Sequence, residues 1–250
     1  MTSKDVVKNV LILGGSGAVG MHLAKKLAVE GYKVLATSNS NANVLKRSIK
    51  EDGLEGKIIP YNVDLLSAAS ISKFMNNLSG KELPNSIVHC ASLKPVNRSV
   101  EEASVKDFED QFQIAVGATQ TILKYLLPTM RENNFGRVIF IGSQYAQGRP
   151  PKNVGSYAVA KTAMMALAKA VAVENGHHGI TSNVILPSMM ETNFTAELPP
   201  KAKLLAKTEA TLKRFAEPED IFSLVRYLIS EDAAFVNGSA VPINSGAIMF

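Results

Sequence analysis

The chain has 250 residues, 46% of them hydrophobic, and a formal net charge of +5. That length suits one α/β domain with a substantial core better than two small ones, so residues 1–250 are expected to form a single unit. No uninterrupted apolar run is long enough to cross a bilayer, and the polar start Met1-Thr-Ser-Lys-Asp-Val-Val-Lys lacks a signal-peptide core. The reading is a cytoplasmic protein with no membrane partner. Cys90 is the only cysteine, which excludes an internal disulfide and a multi-cysteine metal site. In the apolar run Ile87–Ala91 it reads as a small buried hydrophobe. Lys and Arg are scattered, which argues against a nucleic-acid partner and leaves an acidic small molecule as sufficient explanation of the charge.

Short apolar runs alternate with longer segments of helical periodicity, the pattern of βαβ units around a parallel sheet. Strands are expected at Asn9–Leu13, Lys33–Thr37, Lys57–Asn62, Ser86–Ala91, Arg137–Gly142, Thr181–Leu186 and Ala240–Ile243. Helices are expected at Ala18–Glu30, Asn41–Glu51, Ala68–Leu78, Val105–Asn133, Gly155–Asn175 and Pro218–Ile229. The spacing predicts a doubly wound sheet with helices on both faces. Ser188–Phe215 departs from the pattern: it is polar, carries Pro199-Pro200, and is long for a connector. It reads as a lid or a surface insertion, and its place after a strand's carboxyl end favours the lid.

The first strand runs through Gly14-Gly-Ser16-Gly17-Ala18-Val19-Gly20 into the first helix, the context in which a glycine-rich turn binds a pyrophosphate. Gly14 permits the tight turn, Gly17 lets backbone approach the anion, and Gly20 lets helix pack on strand, with free N–H groups at the helix start. The second strand ends in Ser38-Asn39, without the acidic residue that grips the 2′-hydroxyl of NAD. NADP(H) is therefore expected over NAD(H), with Ser38 and Asn39 as hydrogen-bond donors and Lys46 or Arg47 as counter-charges. Asp64, in Asn62-Val-Asp64-Leu65, can accept from an adenine amine or cap the next helix, a role for which Ser67 competes.

Tyr157 and Lys161 lie one helical turn apart and project from one face. A neighbouring ammonium is expected to favour the phenolate and bring Tyr157 into range for proton exchange with an alkoxide. The strand Arg137–Gly142 delivers Ser143 to the carboxyl edge of the sheet, where its hydroxyl can hold a substrate oxygen.

Together, the glycine turn, the Ser143 strand and the Tyr157/Lys161 pair resemble the short-chain dehydrogenase/reductase family, a doubly wound Rossmann fold. The likeness continues through Asn183–Thr192, Arg214-Phe-Ala-Glu-Pro218-Glu-Asp-Ile and Asn237–Gly246, and so covers nearly the whole chain. The layout is nearest to members of the 3-oxoacyl-acyl-carrier-protein reductase type. The resemblance implies hydride transfer between nicotinamide and a carbonyl or secondary alcohol. Tyr157 would be the acid/base, Lys161 its electrostatic helper and ribose ligand, and Ser143 the oxygen anchor. Leu65, Ala91, Ser92, Pro187, Met190 and Thr192 fall where the family lines its cofactor cleft. No metal is implied, and a homo-dimer or homo-tetramer built on the two long helices is.

Several positions depart from the family pattern. Ala18 stands at the usual middle glycine, His89-Cys90-Ala91-Ser92 replaces the usual Asn-Ala-Gly run, and Ser188 follows Pro187 where glycine is usual. Ala115 takes the place of the asparagine that supports a proton-carrying water, for which Gln113 is a candidate substitute. His22 and His177-His178 have no acidic partner at metal-ligand spacing and read as surface or capping residues. Met189 and Met190 can line an apolar pocket wall, and Arg149 and Lys152 can attract a negatively charged substrate. The long helices end in Asn134 and His178, not in the basic cluster an acyl carrier needs, so a polar oxo-compound rivals a 3-oxoacyl substrate. Ala115 and the altered His89–Ser92 segment motivate the alternative of a non-catalytic dinucleotide-binding regulator.

Overall fold

The computed structural model describes residues 8–78 and 83–249, so the polar start up to Val7 lies outside the described residues. Among the described residues, seven parallel strands form one sheet in the order β3-β2-β1-β4-β5-β6-β7. They are β1 (Asn9–Leu13), β2 (Lys33–Ser38), β3 (Ile58–Asn62), β4 (Ser86–His89), β5 (Gly136–Ile141), β6 (Ile180–Pro187) and β7 (Ala240–Ile243). The helices are α1 (Ala18–Val29), α2 (Ala42–Glu51), α3 (Ala68–Leu78), α4 (Val105–Phe112), α5 (Ala118–Glu132), α6 (Gly155–Asn175), α7 (Pro200–Glu209) and α8 (Pro218–Leu228).

Alternation along each strand sorts the core into two layers. Leu11 and Leu13 of β1 face a cluster with α3, α5 and α6 that includes Ile71, Ile122 and Met164. Val10 and Ile12 face α1, α2 and α8 through Leu23, Leu45 and Val225. Each such buried aliphatic side chain contributes about 1.5–3 kcal/mol. The strand order reverses between β1 and β4, which opens a crevice at their carboxyl ends, the place where open α/β sheets bind ligands.

Three expectations need correction. The single helix foreseen over Val105–Asn133 is divided by a π-helical turn at Gln113–Gly117, which contains Ala115. Such turns recur at functional sites, and periodicity does not reveal them, because one inserted residue leaves the apolar stripe nearly intact. The Ser188–Phe215 segment is not all loop, since α7 begins at Pro200. Proline suits a first helical position, where no N–H is required, so Pro199-Pro200 marks a helix start. His22 does have an acidic partner, Glu219 of α8, with Nε2 2.8 Å from Oε2. The two residues are far apart in the chain and meet only because α1 packs beside α8.

One described stretch, Gly155–His178, is long and apolar enough to cross a membrane by composition, and 44% of its window is buried inside the fold. Here it packs on β6 as a core helix.

At the amino end of β5, Arg137 is 2% exposed. Its Nε donates to Ser230 O, and one terminal nitrogen donates to the carbonyls of Gly136 and Gly179. Removing the guanidinium strands buried carbonyls at the ends of two connections. Arg137→Leu is expected to lower the stability by about 3 kcal/mol, measured by urea denaturation. A loss below about 0.5 kcal/mol would show that water replaces these bonds.

Candidate active site

The turn after β1 is shaped by contacts that exclude side chains. Gly14 has φ +84°, and a Cβ there would sit 2.8 Å from the Ala91 backbone. A Cβ on Gly20 would overlap the Gly14 carbonyl oxygen. Both glycines are thus required for the chain to leave β1, pass beside the end of β4 and enter α1. Gly17 is the residue before α1 and carries no side-chain cap. Ser16 and Val19 are half-buried, and Gly17 and Ala18 are exposed at the turn. The leading N–H groups of α1 have no intrahelical acceptors, which makes a helix start suited to an anion.

At the end of β2, Ser38 is 5% exposed and its hydroxyl is buried without a hydrogen-bond partner. Asn39 beside it is exposed. After β3, one Asp64 carboxylate oxygen accepts from Leu66 N at 3.0 Å. The cap of α3 is Ser67, whose hydroxyl accepts from Ser70 N at 3.2 Å, so Ser67 takes that role. The Leu65 carbonyl accepts from Gln113 Nε2 at 3.2 Å. Gln113 is thereby turned towards the loop after β3 and does not take up the part considered for it beside Ala115. Ala115 itself is 4% exposed and belongs to the apolar core.

The wall after β4 is organised by His89, which is fully buried. Its Nε2 lies 3.0 Å from the Ala91 carbonyl, and its Nδ1 pairs with the Thr119 hydroxyl of α5. A carbonyl can only accept, so Nε2 carries the proton and Nδ1 accepts from Thr119. Burial and the nearby Lys161 push His89 down to about 3, keeping it neutral. Cys90 packs partly buried against the core, and burial pushes its thiol up to about 12. Ser92 makes a long contact of 3.4 Å to the Leu93 carbonyl.

Across the crevice, β5 ends in Ser143, 6% exposed, whose hydroxyl accepts from Tyr145 N at 3.2 Å in a short 3-10 turn. Tyr157 and Lys161 sit on the first turns of α6. Lys161 is 3% exposed, donates to the Ile141 carbonyl at 2.9 Å, and places Nζ 5.6 Å from the Tyr157 ring centre. Burial pushes the Tyr157 phenol up to about 12, opposed by a hydrogen bond from Ser143 and assisted by Tyr145. The expected shift towards the phenolate is therefore reversed, because desolvation outweighs the opposing influence of Ser143, while the Lys161 ammonium is engaged by a strand-end carbonyl. Burial also pushes Lys161 down to about 8, with a nearby Cys90 acting the other way.

The segment after β6 covers this centre. Pro187 closes β6, Met190 bridges to Ala216, and Thr195 Oγ1 donates to the Met190 carbonyl at 2.6 Å. The Thr192 hydroxyl accepts from Phe194 N at 3.2 Å, and the Phe194 ring lies 6.2 Å from that of Tyr157. Phe194, Gln144, Tyr145 and the Ile141 carbonyl escaped the sequence reading. Phe194 was the one aromatic side chain early in a polar stretch, a signal that could have drawn attention to it.

A doubly wound sheet with a glycine cradle at its switch point and a serine, tyrosine and lysine gathered beside it defines a nucleotide-cleft oxidoreductase architecture. The family model described as Enoyl-(Acyl carrier protein) reductase matches residues 15–247. The chain is 30% identical over 249 residues to the 3-oxoacyl-[acyl-carrier-protein] reductase FabG of Pseudomonas aeruginosa, covering 97% of this chain and 98% of that protein. Among solved structures, levodione reductase superposes with a TM-score of 0.86 at 26% identity, covering 96% of each chain. A putative gluconate dehydrogenase from Agrobacterium tumefaciens superposes at 0.90 and 21% identity, over 96% of this chain and 95% of that one. The protein belongs to the short-chain dehydrogenase/reductase family and is an oxidoreductase. The non-catalytic alternative finds no support among these relatives.

His89 links this site to acid stability. Its pKa is near 6.5 when unfolded and about 3 when folded, so the unfolded chain binds the extra proton between those values and stability falls as pH drops through that window. His89→Asn is expected to flatten the dependence of the denaturation midpoint on pH between 6.5 and 4. An unchanged slope would place acid sensitivity elsewhere.

Proposed function

We propose that the protein is an NADP(H)-dependent reductase that passes a hydride between nicotinamide and a carbonyl, or the matching secondary alcohol. The observation that carries this reading is the half-buried Tyr157 phenol, with the Ser143 hydroxyl beside it and the Lys161 Nζ 5.6 Å from its ring centre. When bound, the nicotinamide would supply the hydride. Ser143 would hold the substrate oxygen, and Tyr157 would give it a proton. With a pKa of about 12, the phenol is fully protonated at neutral pH, which suits donation to an alkoxide formed in reduction. Lys161 would then stabilise the phenolate left behind and reach the ribose.

The cofactor's place is supported by the cradle that a Cβ on Gly14 or Gly20 would fill. Around it, Ser16, Gly17, Ala18 and Val19 would face the pyrophosphate, Asp64 and Leu65 the adenine, and Ala91, Ser92, Pro187, Met190 and Thr192 the nicotinamide side. Preference for the 2′-phosphate rests on Ser38, where no carboxylate repels it and a buried hydroxyl awaits a partner, with exposed Lys46 and Arg47 nearby on α2.

Segment 188–215 is read as a lid over Tyr157. The Phe194 ring lies tilted against that of Tyr157, and Glu197 meets Lys94 from the opposite wall at 2.8 Å. Exposed Val105 and Phe112 of α4 and Val159 and Val173 of α6 form apolar surface suited to a second copy of the chain. The substrate is a 3-oxoacyl or a polar oxo-compound.

Two measurements test the reading. NADPH is expected to bind at least about tenfold more tightly than NADH in a fluorescence titration, since a charge-assisted contact is worth about 1.5–3 kcal/mol; tighter NADH binding would reverse the assignment. Tyr157→Phe is expected to lower kcat by about 100-fold or more with little change in NADPH affinity, and an unaffected rate would remove Tyr157 from the chemistry.

A further inference from the structure

Both ends of segment 188–215 are bonded to the end of β7 and the turn after it. At the first end, Ser188 N donates to the Ile243 carbonyl at 3.0 Å. At the second, beyond α7, Thr211 N and Thr211 Oγ1 both donate to the Ser245 carbonyl, at 2.9 and 2.7 Å. Thr211 Oγ1 also lies 3.0 Å from Ser245 Oγ, which accepts from Leu212 N at 2.9 Å. Ser245 makes these bonds from a left-handed backbone, φ +52°, which a serine keeps only where its surroundings hold it. Asn244, 4% exposed, closes the turn: its Nδ2 donates to the Ile248 carbonyl at 2.8 Å, and its Oδ1 accepts from Gly246 N at 3.1 Å.

The same turn abuts the Ser143 turn. Gly148 lies at the far end of that turn, and a Cβ there would sit 2.5 Å from Ile248 Cδ1, 3.1 Å from Ile248 Cγ2 and 3.2 Å from the Gln144 carbonyl oxygen. Gly148 is not among the glycines of positive φ, so space alone excludes a side chain. From Gly148 the contact reaches Ser143 through the turn's own bonds. Gly148 N donates to the Gln144 carbonyl at 2.9 Å, Ala146 N to the Ser143 carbonyl at 3.0 Å, and Tyr145 N to the Ser143 hydroxyl at 3.2 Å. A closed, hydrogen-bonded turn moves as one piece, and close-packed groups transmit a displacement.

We propose that Ile248 is a positioning residue for the hydride transfer proposed above, on which this role rests: the turn after β7 passes the setting of segment 188–215 to Ser143, whose hydroxyl is aligned only while both ends of that segment are bonded there. Covering the substrate and aligning its oxygen are then one event. Ile248 makes and breaks no bond. Its effect falls on kcat, because it governs the orientation of the reacting groups.

The test follows NADPH oxidation by the full chain with ethyl 3-oxobutanoate or 1-hydroxy-2-butanone, whichever is reduced faster, together with NADPH affinity and hydrogen exchange of the amides at 145–148. Ile248→Ala is expected to lower kcat about tenfold, with NADPH affinity within about twofold of the natural chain. Gly148→Ala is expected to lower kcat by a similar factor through overpacking. The double variant Gly148→Ala/Ile248→Ala is expected to be no slower than Ile248→Ala alone, because the clash is gone. Thr211→Val, at the distant end of the segment, keeps the side chain's shape and removes its donor. It is expected to speed exchange at 145–148 at least about threefold, and to add nothing in the Ile248→Ala background.

An unchanged kcat in Ile248→Ala, or effects of the two alanine substitutions that multiply, would overturn the role of Ile248 while leaving hydride transfer intact. Exchange at 145–148 unaltered by Thr211→Val would overturn the link to the segment, and this measurement decides the matter even where a variant loses turnover. NADPH left unoxidised by the natural chain with both compounds would overturn the hydride-transfer reading, and the positioning role with it.

Discussion

A buried lysine ammonium bonded to a strand-end carbonyl joins the helix that carries the phenol to the sheet that carries the crevice. Lys161 donates to Ile141 at 2.9 Å, and an ammonium taken out of water needs such a partner to stay charged. The bond places α6 at one height and rotation against β5. Tyr157, one turn earlier on α6, is thereby brought beside Ser143, two residues beyond Ile141. Both hydroxyls of the candidate site are thus positioned by one tie between helix and strand.

The same burial that makes this tie necessary also sets the chemistry. It raises Tyr157 and lowers Lys161 together, so both groups lean towards their neutral forms. A neutral phenol beside a hydroxyl is a proton donor. In the proposed reaction the cation would matter at the moment charge develops on the phenol, which is when a low-dielectric surrounding strengthens it most. Cys90 and His89, in the wall after β4, remain neutral for the same reason, and add no competing charge.

On the other side of the crevice, the departures from the family pattern have a local logic. His89 spans β4, α5 and the following loop through two hydrogen bonds, and fixes the Ala91 backbone against which Gly14 turns. Ala115, set in a π-helical turn, is packed into the core, and Gln113 is committed to the Leu65 carbonyl. On the substrate side, by contrast, polar groups are concentrated in the Ser143–Tyr145 turn.

The strands, their parallel arrangement, the glycine turn and the serine, tyrosine and lysine were all legible in the chain, because each is written in local order. Apolar alternation, glycine spacing and a four-residue helical interval need no knowledge of distant residues. Tertiary structure decided what depends on residues far apart in sequence: the pairing of His22 with Glu219, the tilted ring contact of Phe194 with Tyr157, the Lys161 bond to Ile141, and the direction in which burial moves Tyr157. Helix α7 and the π-helical turn belong with these. A proline pair and an apolar stripe each fit more than one backbone path, and the choice falls to the surfaces they pack against. Desolvation is a property of the surroundings, and surroundings exist only once the chain has folded.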